Sequence, residues 1–346
     1  MKASYFKHEL KFKRPSGTSR GVLKTKTSWF IKLETENKFG IGECGLLEGL
    51  SIDDRPDYES TLKWVCEHID LGLDHLYSKL KEFPSIQFGL EMAFLSHSSS
   101  NPYLLYPSEF TEGKKGMKIN GLIWMGEKSF MKAQIQDKIN QGFSCIKLKI
   151  GAIDFNSELD LLAYIRSEFS ASDIELRVDA NGAFTPENAL EKLKQLSRYD
   201  LHSIEQPIAQ GQWQEMAKLC QETPLPIALD EELIGLSDVT KKQAALLTIQ
   251  PQYIILKPSL IGGFQSSKEW IDLAKDNNTN WWMTSALESN IGLNAISQFT
   301  FLQENPLPQG LGTGGLYTNN IESPLWIDGE HIMYNPDLSW ENKFNL

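Results

Sequence analysis

Two short runs decide the fold: Cys145-Ile-Lys-Leu-Lys-Ile-Gly151 and Arg177-Val-Asp-Ala-Asn-Gly182. Both have the apolar, β-branched character of buried strands, yet both carry polar groups at alternate positions. Side chains at i and i+2 of a strand face the same way, so Lys147 and Lys149 point together, as do Asp179 and Asn181. Three later runs repeat the pattern: Ser203-Ile-Glu-Gln-Pro207, Ile227-Ala-Leu-Asp-Glu231 and Ile254-Ile-Leu-Lys-Pro258. Lys149, Asp179, Glu205, Asp230 and Lys257 follow one another at intervals of 30, 26, 25 and 27 residues, each one strand–helix unit long. One ionisable residue therefore arrives at the same height on five successive strands.

Outward from these runs the same rhythm continues. Strands are predicted at Lys118–Met125, Cys145–Gly151, Ile174–Asn181, Ser203–Pro207, Ile227–Glu231, Tyr253–Ser259, Trp281–Leu287 and Gln309–Gly314. Amphipathic helical stretches such as Pro186–Arg198 and Phe264–Asp276 separate them, with Pro186 at a first helical turn, where proline is favoured. Strand–helix alternation of this kind implies parallel strands with crossover helices. Eight units over about 200 residues fit a closed (β/α)8 barrel of the TIM type. An open doubly wound sheet competes, but no glycine-rich dinucleotide fingerprint follows an early strand.

Before the barrel the chain reads as α+β. Residues 3–13 and 27–35 alternate like strands, Gly40, Gly42 and Gly45 mark a turn-rich stretch, and 57–81 and 87–98 have helical spacing. The expected division is an α+β cap over 1–115, a barrel over 116–318, and a tail over 319–346 that returns to the cap.

The chain has 346 residues, 41% hydrophobic and 23% charged, which suits a globular core. Its formal charge is 34 − 45 = −11. That balance argues against nucleic acid or an anionic membrane as the main partner. Cys44, Cys66, Cys145 and Cys220 are scattered, which predicts free thiols in a reducing compartment. With no signal-like start and no apolar run near the roughly 20 residues needed to span a bilayer, a cytoplasmic protein is expected. The oligomeric state is left open.

Charges inside an apolar barrel are costly unless paired or bound to metal, and three convergent carboxylates repel one another without a cation. Asp179, Glu205 and Asp230 offer oxygen ligands only, and none of the six histidines falls at a ring position. The donor set points to Mg2+, with Mn2+ as the alternative, rather than Zn2+. A small-molecule carboxylate bound there gains electrostatic stabilisation when its α-carbon loses a proton. Lys149 is the expected base, with its pKa lowered by Lys147 and the metal, and Lys257 faces it across the ring.

These motifs together resemble the enolase superfamily, in particular its muconate lactonizing enzyme subgroup. They are Lys-Leu-Lys on the second strand, Asp-Ala-Asn on the third, Glu-Gln-Pro on the fourth, Asp-Glu on the fifth and Lys-Pro on the sixth. A Lys or His base working with Mg2+ is the general description of that superfamily. The resemblance implies Asp179, Glu205 and Asp230 as metal ligands and Lys149 and Lys257 as the acid–base pair, with Lys147, Asn181 and Glu231 in support. Thr284-Ser-Ala-Leu-Glu-Ser-Asn-Ile-Gly292 resembles the seventh strand of the o-succinylbenzoate synthases of menaquinone-making bacteria. Gly17-Thr-Ser-Arg-Gly-Val22 and Gly310-Leu-Gly-Thr-Gly-Gly-Leu-Tyr317 are similar to their cap loop and eighth strand. That likeness implies dehydration of a cyclohexadiene carboxylate, with Ser285, Glu288, Gly312 and Gly314 near the substrate and Ser19 and Arg20 closing over it. Dipeptide epimerases of the subgroup carry an Asp-x-Asp pair on the eighth strand, where this chain has Gly312-Thr-Gly314. Rival readings remain: an N-acylamino acid racemase or epimerase of the same subgroup, a Schiff-base aldolase, and a binding protein on an inactive barrel.

Overall fold

The structure, a computed structural model, describes residues 1–18, 21–124 and 126–341. It opens with three antiparallel strands, β1 (Lys2–Thr18), β2 (Gly21–Thr35) and β3 (Lys38–Cys44). The β1–β2 hairpin is longer than the sequence predicts, and its register runs from Lys2↔Glu34 to Thr18↔Gly21 with an irregularity between Lys11 and Ser16. Helices α1 (Tyr58–Glu67), α2 (Leu73–Lys79) and α3 (Pro84–Ser98) follow. The single helix expected over 57–81 is broken at Gly72, whose φ of 80° no helix accommodates. Trp29, Ile31 and Leu33 pack against this helical layer, while Phe30 and Ile41 join the barrel core.

Gly40 and Gly42 lie within β3 rather than in a turn. A Cβ on Gly42 would sit 1.8 Å from the Gly89 carbonyl oxygen of α3, and one on Gly40 would sit 2.4 Å from the Ala93 oxygen. Strand and helix backbones therefore touch, and only glycine permits it.

After β4 (Met117–Lys118) the barrel begins with β5 (Gly121–Ile123). It continues through β6 (Cys145–Lys149), β7 (Glu175–Asp179), β8 (Ser203–Glu205), β9 (Ile227–Leu229), β10 (Tyr253–Leu256) and β11 (Asn280–Met283). Strands β5 to β11 form one parallel sheet in sequence order. Helices α4 (Lys128–Asn140), α5 (Phe155–Glu168), α6 (Pro186–Leu196), α7 (Trp213–Glu222) and α8 (Val239–Ile249) lie between strands. So do the short α9 (Pro258–Ile261) and α10 (Gly263–Asp276), and α11 (Asn290–Phe301) follows β11. Pro186 opens α6 as expected, behind a capping box of Thr185 and Asn188.

The eighth strand predicted at Gln309–Gly314 is reduced to two bridging residues. Gln309 pairs with Ile119 and Gly310 with Thr284, both parallel, so this segment closes the ring between β11 and the first barrel strands. A glycine at every second position (Gly310, Gly312, Gly314) leaves little to pack as a strand.

After the ring the chain touches the cap. Thr318 N–H donates to the Lys11 carbonyl at 2.9 Å, and the Tyr317 ring meets Phe12 at 4.7 Å. The last hairpin, β12 (Leu325–Asp328) and β13 (His331–Tyr334), pairs with β4 instead of the cap sheet. All four cysteines are free. Among the described residues no helix is long and apolar enough to cross a membrane.

The close approach of β3 and α3 predicts that Gly42→Ala lowers stability by about 1–3 kcal/mol, the cost of overpacking a filled interface. Urea unfolding should move to a lower midpoint with an unchanged slope.

Candidate active site

The ionisable residues on five successive strands meet inside the barrel. Lys147 and Lys149 leave β6, Asp179 ends β7, Glu205 ends β8, Asp230 follows β9 and Lys257 follows β10. Lys147 Nζ donates to Glu205 and lies 2.9 Å from Asp179 Oδ2. Lys149 Nζ donates to the same Asp179 oxygen at 2.8 Å. Lys257 Nζ donates to Asp230 and stands 3.8 Å from Glu205 Oε1. The three carboxylates thus form a row with ammonium groups between them, and all three are buried. Among the described residues no three His, Cys, Asp or Glu side chains are already drawn around a single point.

Electrostatics follow from that row. Burial works against the Asp179 charge, but Lys147 and Lys149 outweigh it and hold its carboxyl well below the usual range. Burial also opposes the Asp230 charge, and Lys257 outweighs it. Glu205, in the middle, is pushed well above the usual range by burial and by the Asp179 and Asp230 charges. Lys147 and Lys257 resist burial and stay raised because the carboxylates surround them.

The amine that lies deepest among the acids is Lys147. Glu205 Oε1 is buried with no hydrogen-bond partner among the described residues. An all-oxygen donor set, crowded enough to repel itself and with one oxygen unsatisfied, suits a hard divalent cation held by Asp179, Glu205 and Asp230.

The supporting residues are fixed by their neighbours. Asn181, at φ 44°, accepts Lys149 Nζ on Oδ1 at 2.8 Å and donates to Glu231 Oε1 at 3.0 Å. Gln206, at φ 38°, accepts the Asp230 and Glu232 amides, so the Glu205 strand end is tied to the Asp230 loop. Non-glycine residues in this left-handed region cluster where surrounding structure holds them for function.

Above the row lies a cavity of about 800 Å3 between the cap and the barrel. Lys147, Lys149, Asn181, Lys257, Ser285 and Gly312 line it; Gly314 does not, and its Cβ position abuts Asn290. Ser285 already spends its hydroxyl hydrogen on Glu288 at 2.6 Å while accepting from Thr313 at 2.9 Å. Glu288 is fully buried beneath that wall. Ser19 and Arg20 lie outside the described residues.

Thr284 is the residue that sequence reading passed over. It lines the cavity, its Oγ1 is buried without a hydrogen-bond partner among the described residues, and it follows Lys257 by 27 residues, the interval from Asp230 to Lys257. Its position on the ring period was the available signal; threonine's lack of charge hid it.

Comparison with known proteins agrees with the fold. Residues 131–333 match the enolase C-terminal domain-like family. The chain is 48% identical to an o-succinylbenzoate synthase of Desulfotalea psychrophila, covering 95% of this chain and 98% of that one. The crystal structure of MenC from the same organism superposes with a TM-score of 0.86 at 44% identity, over 96% of this chain and 99% of that one. The muconate lactonizing enzyme of Pseudomonas fluorescens, at 20% identity and 99% and 96% coverage, shares the fold with a TM-score of 0.82.

Glu205→Gln should weaken binding of a divalent cation by about tenfold or more. Loss of a ligand costs at least what loss of a supporting group does. Calorimetry on chelator-stripped protein measures it, and equal affinity in wild type and variant would remove Glu205 from the ligand set.

Proposed function

The chain belongs to the enolase superfamily, and on that premise we propose that it is an o-succinylbenzoate synthase. It converts a 2-succinyl-6-hydroxy-2,4-cyclohexadiene-1-carboxylate to o-succinylbenzoate and water. One observation carries the reading: two lysine amines, Lys149 and Lys257, stand at the floor of one cavity over a row of three buried carboxylates. The near full-length likeness to a synthase of this kind supports it.

The residues divide the work as follows. Asp179, Glu205 and Asp230 hold a divalent cation, Mg2+ by the hardness of the donors, with Mn2+ as a substitute. When bound, the cation supplies Lewis-acid stabilisation to the ring carboxylate as negative charge develops on it. Lys149 Nζ removes the proton from the carbon beside that carboxylate. The same amine, now charged, returns the proton to the departing hydroxyl, so water leaves and the ring becomes aromatic. Asn181 and Glu231 hold the Lys149 amine in line. Lys257 stays protonated and stabilises the enediolate from the opposite face, with a cation–π contact to the ring. Thr284 Oγ1 hydrogen-bonds a substrate oxygen. The cap over 1–115, the barrel over 116–318 and the tail over 319–346 are the domains in which we place these roles.

A racemase or epimerase acting on an amino-acid derivative would use the same two lysines. The Gly312-Thr313-Gly314 loop disfavours a dipeptide epimerase, because it brings no carboxylate to hold a substrate ammonium.

Ultraviolet detection of succinylbenzoate tests the activity, and EDTA should abolish turnover until Mg2+ is restored. Lys149→Ala and Lys257→Ala should each lose at least about a hundredfold in turnover, within the range supplied by a positioned acid–base group; near-normal rates in either defeat the assignment. Thr284→Val should raise KM about tenfold, the value of one substrate hydrogen bond. An unchanged KM would free Thr284 from substrate contact.

A further inference from the structure

Behind the cavity wall, where cap and barrel meet, lies a buried polar network that the chemistry above does not use. Its centre is Glu288, between β11 and α11. One carboxylate oxygen accepts the Ser259 hydroxyl, and the other accepts the Ser285 hydroxyl at 2.6 Å. Ser259 stands two residues after Lys257, in the short helix α9. Ser285 in turn accepts from Thr313 at 2.9 Å and from the Leu287 amide at 3.0 Å. One carboxylate therefore ties together the segment after Lys257, the segment after β11, and the glycine loop of the eighth segment.

The cap reaches the same spot. Glu43, at the end of β3, accepts the Ser289 and Gly292 amides at 2.8 and 2.9 Å and the Ser289 hydroxyl, which anchors the first turn of α11. Lys26 of β2 is 4% exposed and donates to Ser28 at 3.3 Å. Burial pulls its pKa down while the Glu43 and Glu288 charges push it back up.

Two glycines make the approach possible. A Cβ on Gly45 of the cap would lie 2.8 Å from Ser259 Cβ and 3.1 Å from Glu288 Cγ. One on Gly292 would lie 2.8 Å from Glu288 Cβ and 2.9 Å from Glu43 Oε2. Leu287, next to Glu288, is held at φ 67°, a left-handed conformation that a branched residue adopts only under constraint. The Tyr317 hydroxyl, donating to the Leu287 carbonyl at 2.6 Å, supplies part of that constraint.

We propose that Glu288 is a positioning residue for the proposed reaction: through Ser259 and Ser285 it aims Lys257 and the Thr313 wall at the substrate. The cap closes over the same network through Gly45, packed against Ser259 and Glu288, and through the buried Lys26, so the site is correctly set only when the cap is docked. Glu43 already has three donors from α11, at a helix N-terminus where negative charge is favoured. Among the described residues Glu288 is met by the Ser259 and Ser285 hydroxyls alone, which leaves it the carboxylate more open to the field of the buried Lys26. The role rests on the activity proposed above.

The test compares Glu288→Gln, Ser259→Ala, Lys26→Met and the Lys26→Met/Glu288→Gln pair with wild type, in the full chain with Mg2+. A misaimed lysine acts on the transition state more than on substrate binding. The expected result for Glu288→Gln is therefore a fall in kcat of about ten- to a hundredfold, with KM within about threefold. Mg2+ binding by calorimetry should be unchanged within the same factor. Lys26→Met should lower kcat alone but add nothing in the Glu288→Gln background, the signature of one coupled unit.

Wild-type kcat in a folded Glu288→Gln protein overturns the proposal. So does a raised KM at constant kcat, which would mean direct substrate contact, and so do independent losses in the pair. Should Glu288→Gln not fold, Ser259→Ala carries the same reading, and an unchanged kcat there overturns it. Failure of the wild-type chain to form succinylbenzoate overturns the activity and this role with it. Wild-type product formation with unaffected variants overturns this role alone.

Discussion

Six ionisable groups sit inside an apolar barrel, and none of them is tolerable there charged and alone. Isolated buried charges of this kind are costly enough that they normally neutralise or pair. The arrangement survives because acids and amines alternate: Lys147 serves Asp179 and Glu205, Lys257 serves Asp230 and approaches Glu205, and Lys149 adds to Asp179. Every strand must deliver its residue at one height, or some charge is stranded. That requirement fixes the register of β6 to β10, and the register in turn fixes the crossover lengths. The lysines match the carboxylates in number, yet Glu205 Oε1 at the centre of the row has no hydrogen-bond partner among the described residues, and an unsatisfied oxygen between two further carboxylates suits a divalent cation.

Backbone contact is the second constraint, and it acts where the cap meets its helices and the barrel. Gly40 and Gly42 let β3 lie against α3, and Gly45 lets the following loop lie against Ser259 and Glu288. The cavity exists because the cap is held at this distance. A cap one methyl group farther out would open the junction that shields Lys26 and the two carboxylates beside it.

The barrel units were legible because the signal was a period, and periods survive in a single sequence. Lysines and carboxylates inside apolar strands stand out at each repeat, and Lys149, Asp179, Glu205, Asp230 and Lys257 do meet in space. What failed to show had no such contrast. Gly40 and Gly42 looked like turn residues because glycine reports a close approach and a turn identically. The break at Gly72 was hidden by apolar spacing that continues across it. Thr284 kept the ring period but carries no charge. The reduction of the eighth strand depends on Gln309 and Gly310 each pairing with a different neighbour, a tertiary fact with no local pattern. The hydrogen-bond traffic that occupies Ser285 could not be read either, since it needs Thr313 and Glu288 in place around it.

The sign of the whole chain gives no account of its site. The protein carries −11, yet among the described residues Lys13, Arg14, Lys138, Lys147, Lys149 and Lys257 line the cavity against Glu48 and Asp137. The three buried carboxylates lie beneath the lysines and do not form its wall. A cleft with low-dielectric sides focuses the field of the groups that line it, so an approaching anion meets positive potential at the mouth and the acidic remainder from behind. A dicarboxylate would meet positive charge at both ends, from Lys149 and Lys257 at the floor and from Lys13 and Arg14 of the cap. A substrate bearing an ammonium would meet repulsion along the same path and find no acid on the Gly312-Thr313-Gly314 loop to offset it. That loop thus disfavours a substrate with a free ammonium, such as a dipeptide, through the electrostatics of the cavity wall and not of the row beneath it.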